Sequence, residues 1–134
     1  MMIKKFAQAV LACVLFCATG AQADSETVFE LRTYIAEDGK AADLHKRFAN
    51  HTTAFFEKHG MRNVGYWVPQ DPERANTIIY ILAHKSRAAA KQSWEAFGKD
   101  PEWHKVVEES TRNGEIVKSI ESVYMTATEY SLIK

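Results

Sequence analysis

The sequence predicts an α+β fold of the ferredoxin-like type, in which helices cover one face of a four-stranded antiparallel sheet. The elements expected along the chain follow the order βαββα(α)β. The strand candidates alternate side chains of different chemistry, as strands with two distinct faces do. The third strand candidate, residues 77–84, is apolar on both faces. Helices cover only one of these faces, so we expect a second copy of the chain to cover the other.

The start of the chain has the pattern of a signal peptide. Two lysines precede an apolar run, and small residues follow at the positions that signal peptidase recognises. We predict cleavage after Ala23, which makes residues 1–23 a signal peptide and residues 24–134 one periplasmic or secreted domain. The apolar run is shorter than the roughly 20 residues of a membrane helix, so we expect no membrane association after cleavage. Lipidation of Cys17 is the alternative.

Composition limits the chemistry of the mature domain. Cys13 and Cys17 are the two cysteines of the chain, and both lie in the predicted signal peptide. The mature domain therefore has no disulfide and no cysteine nucleophile. Loss of Lys4 and Lys5 with the signal leaves a small excess of acidic residues. Nucleic acid is not an expected partner, because phosphate binding needs clustered positive charge.

Four segments have the pattern of strands. The first contains Glu30, Arg32 and Tyr34 on one face and mainly apolar side chains on the other. The second precedes a polar loop with two prolines, which suits a hairpin connection to the third. The predicted strands are residues 27–36, 63–68, 77–84 and 119–130.

Three helices are predicted between these strands. The first covers about residues 40–58 and ends before Gly60, which suits a left-handed cap. Its predicted buried stripe has the spacing i, i+4, i+7, i+11 and consists of Leu44, Phe48, His51 and Phe55. Ser86 is the predicted N-cap of a second helix, which Gly98 closes. Asp100 and Pro101 start a third helix that ends near residue 113.

The residues of these elements resemble the NIPSNAP family of the dimeric α/β-barrel superfamily. The resemblance covers nearly all of the mature chain, in order, although no single motif is specific. The matching segments are Phe29-Glu30-Leu31-Arg32-Thr33-Tyr34, Glu57-Lys58-His59-Gly60, Val64-Gly65-Tyr66-Trp67, Ile79-Tyr80-Ile81, Trp94-Glu95-Ala96-Phe97 and Asp100-Pro101-Glu102-Trp103. The resemblance implies the same ferredoxin-like fold and a dimer, but it implies no particular reaction. Some relatives in the superfamily are small-molecule oxygenases, isomerases or dismutases.

His51 is the best candidate for a catalytic residue. Its place on the predicted buried stripe allows two interpretations. His51 is either a general base or ligand contact in a cleft between helix and sheet, or a hydrogen-bonded histidine of the core. Arg32 and Tyr34 could orient an anionic or carbonyl substrate, since a guanidinium binds planar oxyanions. We favour an ion pair with Glu30 at the dimer interface, because Leu31 is expected to face the helices.

Aromatic residues and a second histidine complete the candidates for ligand binding. Trp67, Trp94 and Trp103 could line an apolar pocket for an aromatic or quinone-like molecule, although core packing is the more common role. His84 at a strand end could lie at an edge or in a pocket. We expect no metal site, because the pair His104 and Glu108 has no third ligand at a suitable spacing.

Two classes of function fit these features. The first is an exported homodimer that binds a small apolar or aromatic molecule between helices and sheet, with an oxygenase- or isomerase-like reaction that needs no cofactor as an extension. The second is a non-catalytic interaction or structural dimer, in which the aromatic residues only build the core. A cavity with converging polar groups would favour the first.

Overall fold

The computed structural model describes residues 26–134 of the 134-residue chain, and the predicted signal peptide lies outside them. Its strands are β1 (Val28–Ala36), β2 (Arg62–Trp67), β3 (Thr77–His84) and β4 (Val117–Thr126). Its helical segments are α1 (Ala41–Arg47), a π-helical turn (Phe48–Thr52), α2 (Thr53–Lys58), a 3-10 turn (Pro72–Arg74), α3 (Arg87–Lys99) and α4 (Pro101–Ser110).

The four strands form one antiparallel sheet in the order β2-β3-β1-β4. The first strand of the sequence therefore lies inside the sheet, between β3 and β4, and β2 and β4 form the edges. This order and the helices between the strands confirm the predicted ferredoxin-like fold.

The predicted helix ends are largely confirmed. Ser86 caps α3, because its hydroxyl oxygen accepts a hydrogen bond from the Ala89 amide at 3.0 Å. Asp100 caps α4 in the same way, with Pro101 as its first residue. Gly60 has a φ of 78°, the left-handed conformation expected after α2. The predicted role of Gly98 is wrong, because α3 continues through it to Lys99.

The π-helical turn joins α1 and α2 into one continuous helix, residues 41–58, which we call the first helix, and it changes the buried face of that helix. A π turn has i→i+5 hydrogen bonds, so it rotates the following residues relative to an ideal α-helix. The buried positions include Leu44, Phe48, Thr52 and Phe56. His51 is consequently exposed and Phe55 is only partly buried. The expectation that His51 faces the sheet is wrong for this reason.

The charged face of β1 lies under the helices. Arg32 is paired with Tyr80 of β3 and Tyr34 with Ile78, and side chains opposite each other share a face of the sheet. The Tyr34 ring lies 5.3 Å from the ring of Phe48 in the first helix. The expected position of Glu30, Arg32 and Tyr34 at a sheet-to-sheet interface is therefore wrong. The ion pair of Arg32 with Glu30 is what allows this charged row to be buried.

The other face of the sheet is mainly apolar and largely open, apart from Phe29, which is buried there, and the charged Glu121 of β4. Leu31, Ile79 and Ile81 are partly buried there, while Val123 and Trp67 expose more than half of their surface. The third strand is thus apolar on both faces, as the sequence predicts, and the helices cover only the face of Tyr80.

Candidate functional site

Glu30 is the centre of a buried polar cluster beneath α3. Its Oε1 accepts hydrogen bonds from Arg32 Nη1 and Ser122 Oγ, each at 2.7 Å. Its Oε2 accepts a hydrogen bond from Trp94 Nε1 at 2.7 Å and lies 2.8 Å from His84 Nε2. We call these five residues the Glu30 cluster. It unites three of the residues predicted to bind a ligand, namely Arg32, His84 and Trp94.

The cluster keeps Glu30 ionised. Burial alone would raise the pKa of this carboxyl, because it penalises the charged form. The hydrogen bonds from His84, Ser122, Arg32 and Trp94 outweigh burial and lower the pKa of Glu30 from 4.5 to about 2. A carboxylate with so low a pKa is a poor general base near neutral pH.

Arg32 has no free nitrogen for a substrate. Besides the bond to Glu30, its Nε donates to the Tyr80 hydroxyl at 2.9 Å and its Nη2 to the Tyr34 hydroxyl at 3.5 Å. Its guanidinium carbon lies 4.2 Å from the centre of the Trp94 ring. Burial would lower the pKa of Arg32, but its interactions with Tyr80, Tyr34 and Glu30 raise it above the ordinary value. This arrangement favours a structural ion pair over substrate orientation.

His84 is enclosed at the end of β3. Its side chain is completely buried, and Nε2 lies against Glu30. Its Nδ1 is buried without a hydrogen-bond partner among residues 26–134. The ring of Tyr124 lies 6.1 Å away, and the Arg87 guanidinium covers Tyr124 at 3.3 Å. His84 therefore helps to hold Glu30 in place.

Two of the three tryptophans belong to the core. The Trp94 ring packs edge-on against Phe56 and Phe97, each at 5.5 Å. The Trp103 ring lies 4.5 Å from Phe97. Their packing fits the structural interpretation, whereas Trp67 exposes 52% of its surface at the end of β2.

A mainly apolar cleft of about 270 Å³ opens beside Trp67, between the first helix and β2. We call it the β2 cleft. Residues that line it include Phe48, Ala49, Thr53, Tyr66, Trp67 and Ile78. The Tyr66 hydroxyl donates a hydrogen bond to Asn63 Oδ1, and burial raises the pKa of Tyr66. Sequence reasoning missed all of these residues but Trp67, because the cleft depends on the π turn.

His51 lies at a different cleft on the opposite side of the first helix. This cleft of about 340 Å³ separates the first helix from α4, and we call it the α4 cleft. His51 lines it together with Lys46, Arg47 and Arg112. Sequence reasoning missed Arg47, although its position three residues after Leu44 places it on the buried side of the helix.

The described residues contain no metal centre and no membrane-spanning helix. Within residues 26–134, no three His, Cys, Asp or Glu side chains are grouped to hold a metal ion. No helix in this range combines the length and the apolar character that crossing a bilayer requires.

Comparison with known proteins identifies the family. The model of the NIPSNAP family matches residues 29–132, which is most of the chain. The chain belongs to the NIPSNAP family. This NIPSNAP domain is also 29% identical over 89 residues to the mouse protein NipSnap homolog 3B. The match covers 64% of this chain and 34% of the mouse protein. The chain therefore spans about a third of the length of that relative.

Solved structures confirm the fold of this NIPSNAP domain. A NIPSNAP family protein of unknown function from Agrobacterium tumefaciens superposes with a TM-score of 0.70 at 20% identity, over 81% of this chain and 95% of that chain. SnoaB from Streptomyces nogalater, a cofactor-independent oxygenase, superposes with a TM-score of 0.55 at 17% identity, over 82% of this chain and 100% of the SnoaB chain. The chain thus has the same ferredoxin-like fold as these proteins. Likeness at these identities shows the fold alone.

Proposed function

We propose that this NIPSNAP domain is an exported homodimer that binds a small apolar or aromatic molecule in the β2 cleft. The observation that carries the proposal is the mainly apolar cleft between Phe48 and Trp67, formed where the helix makes a π turn. Such turns are rare in proteins as a whole, and those that occur are often found at functional sites. The N-terminal sequence supports export.

The shape of the β2 cleft supports a small ligand. Its volume lies just below the roughly 300–1,000 Å³ of drug-sized pockets, so it suits a molecule of one or two rings. Phe48 and Ile78 are buried, while Ala49 is exposed and borders the entrance. His45 and Thr53 add polar groups that could fix the orientation of a ligand.

The Glu30 cluster supports binding without turnover. Arg32 and Glu30 use their polar atoms on partners within the chain. His51, the residue predicted as the base, lines the α4 cleft rather than the β2 cleft. We therefore infer a binding domain rather than an oxygenase or isomerase, although SnoaB shares the fold.

The open sheet face supports a homodimer. Leu31, Ile79, Ile81, Trp67 and Val123 form one apolar surface across all four strands. Burying a large apolar side chain contributes about 1.5–3 kcal/mol, so covering this face with a second copy would stabilise the dimer through several such side chains. Sheet-to-sheet packing of two copies leaves the helices on the outside and places the β2 cleft at the border of the interface, because Trp67 belongs to both surfaces.

A matched pair of variants tests the β2 cleft. The probe is 1-naphthol, a two-ring aromatic alcohol, titrated against the full mature chain while the unfolding temperature is measured. Ala49→Phe fills the entrance, whereas Ala54→Phe adds the same side chain at an exposed position that does not line the cleft. We expect saturable stabilisation of the wild type and of Ala54→Phe and its loss in Ala49→Phe. Equal responses of both variants would contradict the proposal.

Two lysine substitutions on opposite faces of β4, Val123→Lys and Ile120→Lys, test the dimer. Val123 is 55% exposed on the open face, and Ile120 is 47% exposed on the helix-facing side of the same strand. Sedimentation velocity should show a dimer for the wild type and for Ile120→Lys, and a monomer for Val123→Lys. A monomeric wild type at micromolar concentration would refute the homodimer.

A further inference from the structure

Arg47 is a buried cation with few partners. Only 8% of its surface is exposed. Its Nη1 donates to Ser110 Oγ at 3.3 Å, while its Nε is buried without a hydrogen-bond partner among residues 26–134. No carboxylate in that range forms an ion pair with it. The Trp103 ring lies 5.6 Å from its guanidinium carbon.

This environment is unfavourable for a positive charge. Burial lowers the pKa of Arg47 because it penalises the charged form, and the more distant Tyr34 and Glu115 offset this only in part. Arg32, an arginine that is largely buried, differs because Glu30 neutralises it at 2.7 Å. A buried charge is ordinarily paired, so the unpaired guanidinium indicates that its counter-ion is external.

The walls of the α4 cleft suit a small anion. Lys46 and Arg112 add two cations beside Arg47, and Asn50 and Asn113 add amide donors. The cleft also contains two carboxylates, Asp43 and Glu109. Lys40 Nζ lies 3.6 Å from the first of them, Asp43 Oδ2, which reduces its repulsion of an anion. The lining thus carries more positive than negative charge.

We propose that the α4 cleft binds a small oxyanion, the phosphate or carboxylate group of a free metabolite, with Arg47 at its base and Lys46 and Arg112 at its entrance. A guanidinium binds both groups through charge-assisted hydrogen bonds. This site lies across the first helix from the β2 cleft and takes a ligand of different chemistry, so neither proposal depends on the other.

Titration with inorganic phosphate and, separately, with acetate tests the site. Isothermal titration calorimetry is carried out on the full mature chain, with sodium chloride keeping the ionic strength constant. We expect saturable binding of at least one of the two ions to the wild type. Binding of phosphate alone assigns a phosphate site, and binding of acetate assigns a carboxylate site. If the heat measured on adding phosphate and on adding acetate equals the heat measured on adding sodium chloride, the proposal is overturned.

Charge-matched double variants separate the cleft from general charge effects. Lys46→Gln with Arg112→Gln removes two cations of the cleft, and Arg62→Gln with Lys85→Gln removes two exposed cations elsewhere. Charge-assisted hydrogen bonds are strong enough that the cleft variant should raise Kd about tenfold or more, with less than about a twofold change in the control. Equal effects in both would refute the site.

The variant Arg47→Met tests the base of the cleft directly. Methionine preserves much of the side-chain length and removes the charge, so binding of the ion should be lost. Unchanged affinity in a folded Arg47→Met protein would overturn the proposal. Should this variant fail to fold, the double variant of Lys46 and Arg112 decides the question, because those side chains lie at the entrance.

Discussion

Replacing Glu30 with glutamine should remove a pH-dependent part of the stability of the domain. Folding lowers the pKa of this carboxyl from 4.5 to about 2. One pKa unit corresponds to about 1.4 kcal/mol, so a pKa lowered by about 2.5 means that the ionised carboxylate contributes at most about 3.5 kcal/mol. Because the folded pKa is the lower one, this contribution is complete above the unfolded pKa, decreases as the pH falls below about 5, and is lost near pH 2.

Urea unfolding in steps from about pH 6 to about pH 2 measures this contribution. At neutral pH the variant should be less stable by about 3–5 kcal/mol, because Arg32 loses its charged partner inside the protein. The free-energy difference between wild type and Glu30→Gln should then shrink as the pH falls from about 5 to about 2.

An exposed carboxylate on α4 provides the control. Glu108→Gln removes a negative charge outside the Glu30 cluster and away from the open face of the sheet, so its stability should follow that of the wild type at every pH. If Glu30→Gln is too unstable to study, the double variant Glu30→Gln with Arg32→Met removes both charges and should recover part of the stability. A difference between wild type and Glu30→Gln that stays constant down to pH 2 would refute the reasoning.

Three further substitutions test local geometry. Tyr80→Phe removes the acceptor of Arg32 Nε and should cost about 1–3 kcal/mol in urea unfolding, so an unchanged midpoint would contradict that hydrogen bond. Gly65→Ala places a Cβ 2.6 Å from the outer edge of the Trp67 ring, so this half-exposed ring should move and the tryptophan fluorescence should shift; an unchanged spectrum would place Trp67 elsewhere. Gly60→Ala should cost about 1–2 kcal/mol by thermal unfolding, because φ is 78°, and a neutral effect would argue against the left-handed cap.

Local signals in the sequence predict the elements and their order. Ser86, Asp100 and Gly60 act through contacts with their own neighbours in the chain, so residue type and spacing are sufficient to predict their roles. The apolar third strand has the same local character. The order of the sheet then follows from the βαββαβ pattern.

The faces of the elements depend on contacts between distant residues. The sequence predicts that the charged row of β1 lies at a dimer interface, away from the helices, but Glu30 gains partners from β3, β4 and α3 that lie 54 to 92 residues away. Such partners leave no periodic signal. The exposure of His51 is equally hard to predict from periodicity, because one π turn rotates the helix and no residue type encodes that turn uniquely.

The candidate site could be predicted only in part. Arg32, His84 and Trp94 meet in one cluster, but as structural partners of Glu30. Of the predicted tryptophans, Trp67 lines the β2 cleft. Its position at the end of an edge strand, next to a polar loop, leaves it exposed.

Mapping of 1-naphthol by ¹⁵N nuclear magnetic resonance tests the central claim, binding in the β2 cleft, most directly. Saturable shifts should appear at the amides of Ala49 and Thr53 and at the indole N–H of Trp67, and they should be absent in Ala49→Phe and retained in Ala54→Phe. Shifts that do not saturate, or that persist unchanged in Ala49→Phe, would contradict binding in this cleft.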